Sequence, residues 1–143
     1  MDIKKYSGCF HDGVVYNMQH KNNEIILSLE SAELRPEWNK DKIKLSKERT
    51  ITGYLHLQGV KSVSINTNIF PKRLKMIYDI GEIYDLEISE QSVVLVASWS
   101  NDAPKLPEET DVFIYKIEAE KIYWENVPTA YDALWDALDQ KTD

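Results

Sequence analysis

"VVYNMQHKNNEIILSLE", residues 14–30, is the stretch that decides the predicted fold. Apolar and polar side chains alternate on both sides of Lys21-Asn22-Asn23, which is a typical turn sequence. Alternation with a period of two puts one set of side chains on each face of an extended strand. Two such runs joined by an asparagine-rich turn predict an antiparallel β-hairpin.

The same alternation continues along most of the chain. Residues 51–58 and 60–65 predict two strands joined by a tight turn at Gln58-Gly59. Residues 118–120 predict either a turn or a bulge, and we favour a bulge within one long bent strand that ends near 124. We therefore expect a mainly β fold, an antiparallel two-sheet sandwich or open barrel of about eight strands, in a single domain over residues 1–143. A C-terminal α-helix is predicted over about 128–139. Its apolar residues have helical spacing: Tyr131, Leu134, Trp135 and Leu138.

Composition and charge narrow the function classes. The longest apolar run, residues 93–97, is far shorter than the about 20 residues that a membrane helix needs, so we expect no membrane association. The net charge of −7 argues against a nucleic-acid partner, because binding phosphates needs an excess of Lys and Arg. Residues 1–75 hold 13 Lys and Arg against 8 Asp and Glu, whereas residues 76–143 hold 4 against 16. Either the two halves intermix in space, or the acidic half forms a surface that attracts a basic protein partner.

The cellular compartment is predicted from the single cysteine and the first residues. Cys9 has no second cysteine with which to form an intrachain disulfide or a cysteine-based zinc site. Residues 1–8 contain two lysines with no apolar run after them, unlike a secretory signal. Both observations predict a cytoplasmic protein.

The segment Cys9-Phe10-His11-Asp12-Gly13 combines residue types used in nucleophile and metal sites. Asp-Gly is also a common turn pair, because Asp bonds its own backbone and Gly accepts unusual dihedral angles. We interpret the segment as a turn that leads into the first strand, with Cys9 as a small core residue and with His11 and Asp12 as candidate ligand-binding residues at a pocket rim. His56 lies on the face opposite Leu55 and Leu57, which predicts a position at a pocket edge. We predict no metal site.

Two further groups of residues have functional and structural interpretations. One predicted hairpin carries four carboxylates, Asp79, Glu82, Asp85 and Glu87. They form either a solvated face or a site for acid–base catalysis, in which Asp85 and Glu87 would be the pair. Tyr123 and Trp124 are candidate binding residues, because aromatic side chains beside polar groups bind sugars or proteins, although such residues more often belong to the core. Glu118, Glu120 and Glu125 are the residues that we predict to face a basic partner.

The sequence contains none of the usual phosphate-binding, dinucleotide-binding, serine-hydrolase or zinc-protease motifs. We therefore predict no cofactor and no catalytic residue. The sequence favours a non-catalytic protein and leaves an enzyme of an unfamiliar kind open.

Four phrases carry a resemblance to a known family. They are FHDGVV at 10–15, SLESAE at 28–33, GYLHLQGV at 53–60 and EAEKIYWENVP at 118–128. Together they resemble a small bacterial protein family of unknown function. The resemblance implies a bacterial, single-domain, stand-alone protein, and it implies no activity and no catalytic residues.

Three functional hypotheses follow. The leading one is a non-catalytic protein-interaction module of the cytoplasm, for example an immunity-type protein that blocks a basic toxin with its acidic surface. The second is a small-ligand or carbohydrate-binding β-domain that uses Tyr123, Trp124 and the region around His11. The third is an uncharacterised enzyme based on His11 and Asp12 or on the carboxylates of residues 79–87. The sequence does not decide the oligomeric state.

Overall fold

A computed structural model describes residues 1–76, 78–100 and 111–134. The strands pair in one antiparallel seven-stranded sheet of order β2-β1-β5-β6-β7-β3-β4. Their bounds are β1 Val14–Lys21, β2 Glu24–Glu33, β3 Thr50–Ile65, β4 Asn68–Ile69, β5 Ile80–Ile88, β6 Ser92–Ser100 and β7 Asp111–Asn126. Two 3₁₀ helices, η1 Ile3–Phe10 and η2 Pro36–Trp38, precede β1 and follow β2.

Strand β2 pairs with β3 as well as with β1, so the strand order runs in a circle through β1, β2, β3, β7, β6 and β5. The mainly β, antiparallel character of the fold is thus confirmed. These pairings do not confirm the finer prediction of a two-sheet sandwich or an open barrel, and the described residues form seven strands where about eight were predicted.

The apolar side chains of alternate strand positions meet in a single core. Ile25, Leu27 and Leu29 of β2 are fully buried, and so are Leu55 and Leu57 of the neighbouring β3. Each such side chain stabilises the fold by about 1.5–3 kcal/mol relative to an exposed position. Other strands add more fully buried residues: Val15, Ile83, Leu95, Ala97, Ile117 and Ala119.

The predicted β1–β2 hairpin is present, with Lys21 paired to Glu24 and Asn22 at a positive φ of 55°. The predicted turn at Gln58-Gly59 is wrong. Strand β3 continues through Gly59, which has a φ of 65°, and β7 stays paired with β3 on both sides of it. Glycine adopts this conformation without steric cost, and here it produces an irregularity in a long strand instead of a reversal of the chain.

The segment before β1 is a helix that the sequence interpretation missed. In η1, Ile3, Tyr6 and Phe10 are buried, and the Asp2 side chain accepts a hydrogen bond from the Lys4 amide at 3.1 Å. The helix continues through Cys9, which is half-buried and packs against the core.

Two backbone features then turn the chain into β1. Asp12 has a φ of 68°, and a Cβ at Gly13 would lie 2.2 Å from the Glu30 carbonyl oxygen. Glycine is therefore required at position 13 by the close approach of β2.

The predicted C-terminal helix is not confirmed. Residues 128–131 form turns and 132–134 are helical, whereas the rest of the predicted span, including Trp135 and Leu138, lies outside the described residues. Within residues 1–76, 78–100 and 111–134, no helix combines the length and the apolar character needed to span a bilayer.

Candidate functional site

His56 of β3 lies between two carboxylates on the outer face of the sheet. Its Nδ1 is 3.1 Å from Oε1 of Glu24 on β2, and its Nε2 is 2.8 Å from Oε1 of Glu125 on β7. Glu24 is paired with Gln58 and Glu125 is paired with Tyr54, and both of these β3 residues are two positions from His56. The two glutamates are therefore diagonal neighbours of His56, one on each flanking strand. The His56 side chain is only 13% exposed, which leaves the ring held in one orientation.

Tyr123 completes this arrangement. It is directly opposite His56 in the β3–β7 ladder, and the two rings stack with centroids 4.6 Å apart and planes 2° apart. The Lys121 ammonium lies 5.3 Å from the Tyr123 ring centre, and Gln58 Nε2 donates to the Tyr123 hydroxyl at 3.3 Å. We call Glu24, His56, Tyr123 and Glu125 the His56 cluster.

Two neighbouring depressions run beside the His56 cluster. One has a volume of about 220 Å³ and is lined by Gln19, Ile26, Ser28, Tyr54, His56 and Glu125. The other, of about 280 Å³, is lined by Gln19, Lys21, Asn22, Glu24 and Ile26. Because both include Gln19 and Ile26, we treat them as one surface groove and call it the Gln19 groove.

The structure places His11 and Asp12 elsewhere. His11 hydrogen-bonds through Nδ1 to the Tyr84 carbonyl of β5, and its Nε2 lies 3.7 Å from Asp12 Oδ1. The hydrogen bond to Tyr84, followed by the Asp12 charge, raises the pKa of His11. Both side chains are more than 60% exposed. The His11 ring contacts β5 whereas His56 contacts β2 and β7, so the structure does not bring the two histidines together.

The remaining residues near the chain start show little reactive character. Burial raises the pKa of the Cys9 thiol, which disfavours the thiolate that a nucleophile needs. Within the described residues, no three His, Cys, Asp or Glu side chains are grouped to hold a metal ion.

The other candidate residues of β7 divide between two sides of the sheet. Trp124 faces inward, where its ring lies 5.7 Å from that of Phe10 and its Nε1 donates to Asn126. The exposed Glu118 lines a depression with Lys61 and Lys116. Glu120 is also exposed, and its side chain packs against Gly59.

A second surface, which sequence reasoning did not identify, covers the outside of β5, β6 and β7. Val112 and Ile114 of β7 are each 46% exposed, and Ile114 is opposite the half-buried Val96 of β6. Val96 is in turn opposite Asp85 of β5. A register shift between Ile83 and Asp85 leaves Tyr84 41% exposed, next to the fully buried Ile83.

Carboxylates border this apolar surface on the β5 side. Three of them are exposed: Glu82, Asp85 and Glu87. Glu82 of β5 is paired with Ser98 of β6, and Ser98 is in turn paired with Val112 of β7. We call this surface the acidic–apolar face, and it consists of Tyr84, Val96, Val112 and Ile114 together with Glu82, Asp85 and Glu87. Exposed apolar residues grouped beside charges are typical of a protein-binding surface.

Comparisons of the chain with protein-family models, curated proteins and solved structures found no match.

Proposed function

We propose that this chain is a non-catalytic protein-interaction module whose acidic–apolar face binds a basic protein. The observation that carries the proposal is the exposure of Val112 and Ile114, 46% each, in a sheet face bordered by three exposed carboxylates. An immunity-type role, in which the module blocks a basic toxin, is the specific form that we favour. The cytoplasm is the proposed compartment, because a chain with one cysteine makes no intrachain disulfide.

Burial and charge both contribute to binding at this face. Apolar side chains at the centre of an interface contribute affinity when a partner removes them from water, and the polar rim selects the partner. The three carboxylates of β5 are of one sign, and residues 76–143, which include this face, hold 16 Asp and Glu against 4 Lys and Arg. Such a surface attracts cationic partners and accelerates their association.

The test begins with affinity capture at low salt, followed by a measured dissociation constant for each captured basic protein. Ile114→Asp should weaken the relevant complex at least about tenfold, because it places a charge at the apolar centre. Trp38→Ala is the matched control, since Trp38 is 50% exposed on η2, which follows β2, and β2 pairs with β1 and β3, whereas this face lies on β5, β6 and β7. Capture that is insensitive to Ile114→Asp would contradict the proposal.

Charge reversal locates the acidic contribution. The triple variant Glu82→Lys, Asp85→Lys, Glu87→Lys should associate with the partner much more slowly at low salt. The effect should be smaller at about 0.15 M salt, where the screening length is near 8 Å. The same reversal at Glu118, Glu120 and Glu125 makes an equal change in net charge on another part of β7. If only the second variant associates more slowly, the partner does not bind at the β5 carboxylates. The three glutamates Glu118, Glu120 and Glu125 would then be the residues that contact it.

A further inference from the structure

We propose that the Gln19 groove is a binding site for a neutral saccharide, separate from the proposed protein-binding face. The groove passes over β1, β2, β3 and the last residues of β7, where Glu125 lines it, whereas the acidic–apolar face lies on β5, β6 and the first part of β7. The inference does not depend on a protein partner.

The lining of the groove has the chemistry that sugar hydroxyls require. A hydroxyl group donates and accepts at once, so a sugar needs both kinds of group along its path. Amides of Gln19 and Asn22 supply both, carboxylates of Glu24 and Glu125 accept, and the Tyr54 hydroxyl does either. Ile26 is the apolar residue common to both depressions, and it can pack against the C–H face of a sugar ring.

His56 gives the groove a fixed geometry. The imidazole engages one oxygen of each glutamate and stacks on Tyr123, so the two carboxylates are oriented before a ligand arrives. A preorganised site loses less conformational entropy on binding. Because each ring nitrogen already faces a carboxylate oxygen, the arrangement suits positioning of a ligand and not proton transfer to it.

Charge and size restrict the ligand class further. Glu24 and Glu125 disfavour phosphates and other anions, while Lys21 offsets part of the attraction that the two carboxylates would have for a cation. The depressions of about 220 and 280 Å³ are smaller than the roughly 300–1,000 Å³ typical of drug-sized ligand pockets. Each therefore has room for about one ring, and the two depressions together have room for a disaccharide.

The experiment is a titration of the isotopically labelled protein with maltose, cellobiose, lactose and chitobiose, followed by backbone amide NMR. At least one disaccharide should shift the amides of Gln19, Ser28 and His56, with saturation near 10 mM for a dissociation constant of about 1 mM. Gln19→Ala should weaken that binding at least about fivefold. Gln91→Ala, at an exposed glutamine in the β5–β6 turn, should leave the binding unchanged.

Three results would overturn the proposal. The first is the absence of groove shifts with all four sugars. The second is a response to arginine or spermidine without a response to any sugar, which would reassign the groove to a cation. The third is equal affinity of the Gln19→Ala and wild-type proteins. Loss of protein-partner binding in Ile114→Asp with sugar binding retained would show that the two sites are independent.

Discussion

The Thr50→Val substitution tests an unusual feature of the fold, a buried carboxylate whose hydrogen bonds come from hydroxyl groups. Glu30 is 7% exposed, and it accepts hydrogen bonds from Tyr16 at 2.9 Å, from Thr50 at 2.9 Å and from Thr52 at 3.4 Å. The Thr50 hydroxyl is also 2.6 Å from Ser46 Oγ and 2.8 Å from the Thr52 hydroxyl. It is therefore the central hydroxyl of the network, and it connects β2, β3 and the loop before β3.

The expected cost follows from these distances. A hydrogen bond to a charged group contributes about 1.5–3 kcal/mol, and Thr50→Val removes the shorter of the two threonine contacts from a nearly buried carboxylate. We expect a loss of about 2 kcal/mol in the free energy of unfolding, or roughly 4–8 °C in Tm for a chain of this size. Thr52→Val should cost less, about 1 kcal/mol, because its contact with Glu30 is 3.4 Å long.

Urea denaturation followed by tryptophan fluorescence measures these differences, provided that the slope m stays constant among variants. A double-mutant cycle with Glu30→Gln separates the charge interaction from packing. In the Glu30→Gln background, Thr50→Val should cost about 1 kcal/mol less than in the wild type, since the acceptor is no longer charged. Equal costs in the two backgrounds, or a wild-type cost below about 0.5 kcal/mol, would refute the reasoning.

Two further predictions concern local structure. Gly13→Ala should lower the free energy of unfolding by about 3 kcal/mol, because its Cβ would meet the Glu30 carbonyl oxygen. Gly8→Ala is the control, since no atom lies within 4 Å of the added Cβ, and it should change the free energy of unfolding little in the same urea assay. Burial lowers the pKa of His20 below 6.5, and its Nδ1 accepts a hydrogen bond from the Leu74 amide. The neutral ring therefore stabilises the fold above about pH 6.5, and this stability is lost as the pH falls through the lowered pKa. A plot of unfolding free energy against pH should be flatter for His20→Gln below pH 6.5, and equal slopes for the two proteins would contradict this prediction.

The hairpin of β1 and β2 was predictable because its determinants are local. Residues 14–30 contain all of them: apolar and polar residues alternate on each arm, and Asn22 in the turn tolerates a positive φ. Gly59 has the same local character, yet it lies inside a strand, because β7 pairs along both halves of β3. Local sequence identifies a residue that permits an unusual backbone, but only the long-range pairing decides between a turn and an irregular strand.

The candidate site shows the same division. His56 was identified as a pocket-edge residue from its position opposite Leu55 and Leu57, and it lines the groove. Its two carboxylate partners are 32 and 69 positions away in sequence, so no local pattern indicates them. The contact arises from the register of β2 and β7 against β3, which the sequence alone does not specify.

The core and the course of β7 determine how the two proposed binding surfaces relate. Side chains from all the long strands fill the interior, so recognition has to take place on the outside of the sheet. Along β7, the inward positions change parity between the buried Ala119 and the half-buried Ile122, as expected where a strand bends. Ile114 of the acidic–apolar face and Glu125 of the groove are 11 positions apart on β7, which corresponds to at most about 36 Å at 3.3 Å per residue, and the bend shortens this distance. We expect the groove and the acidic–apolar face to act as separate sites, because they share no lining residue, and a substitution in one should therefore leave binding at the other unchanged.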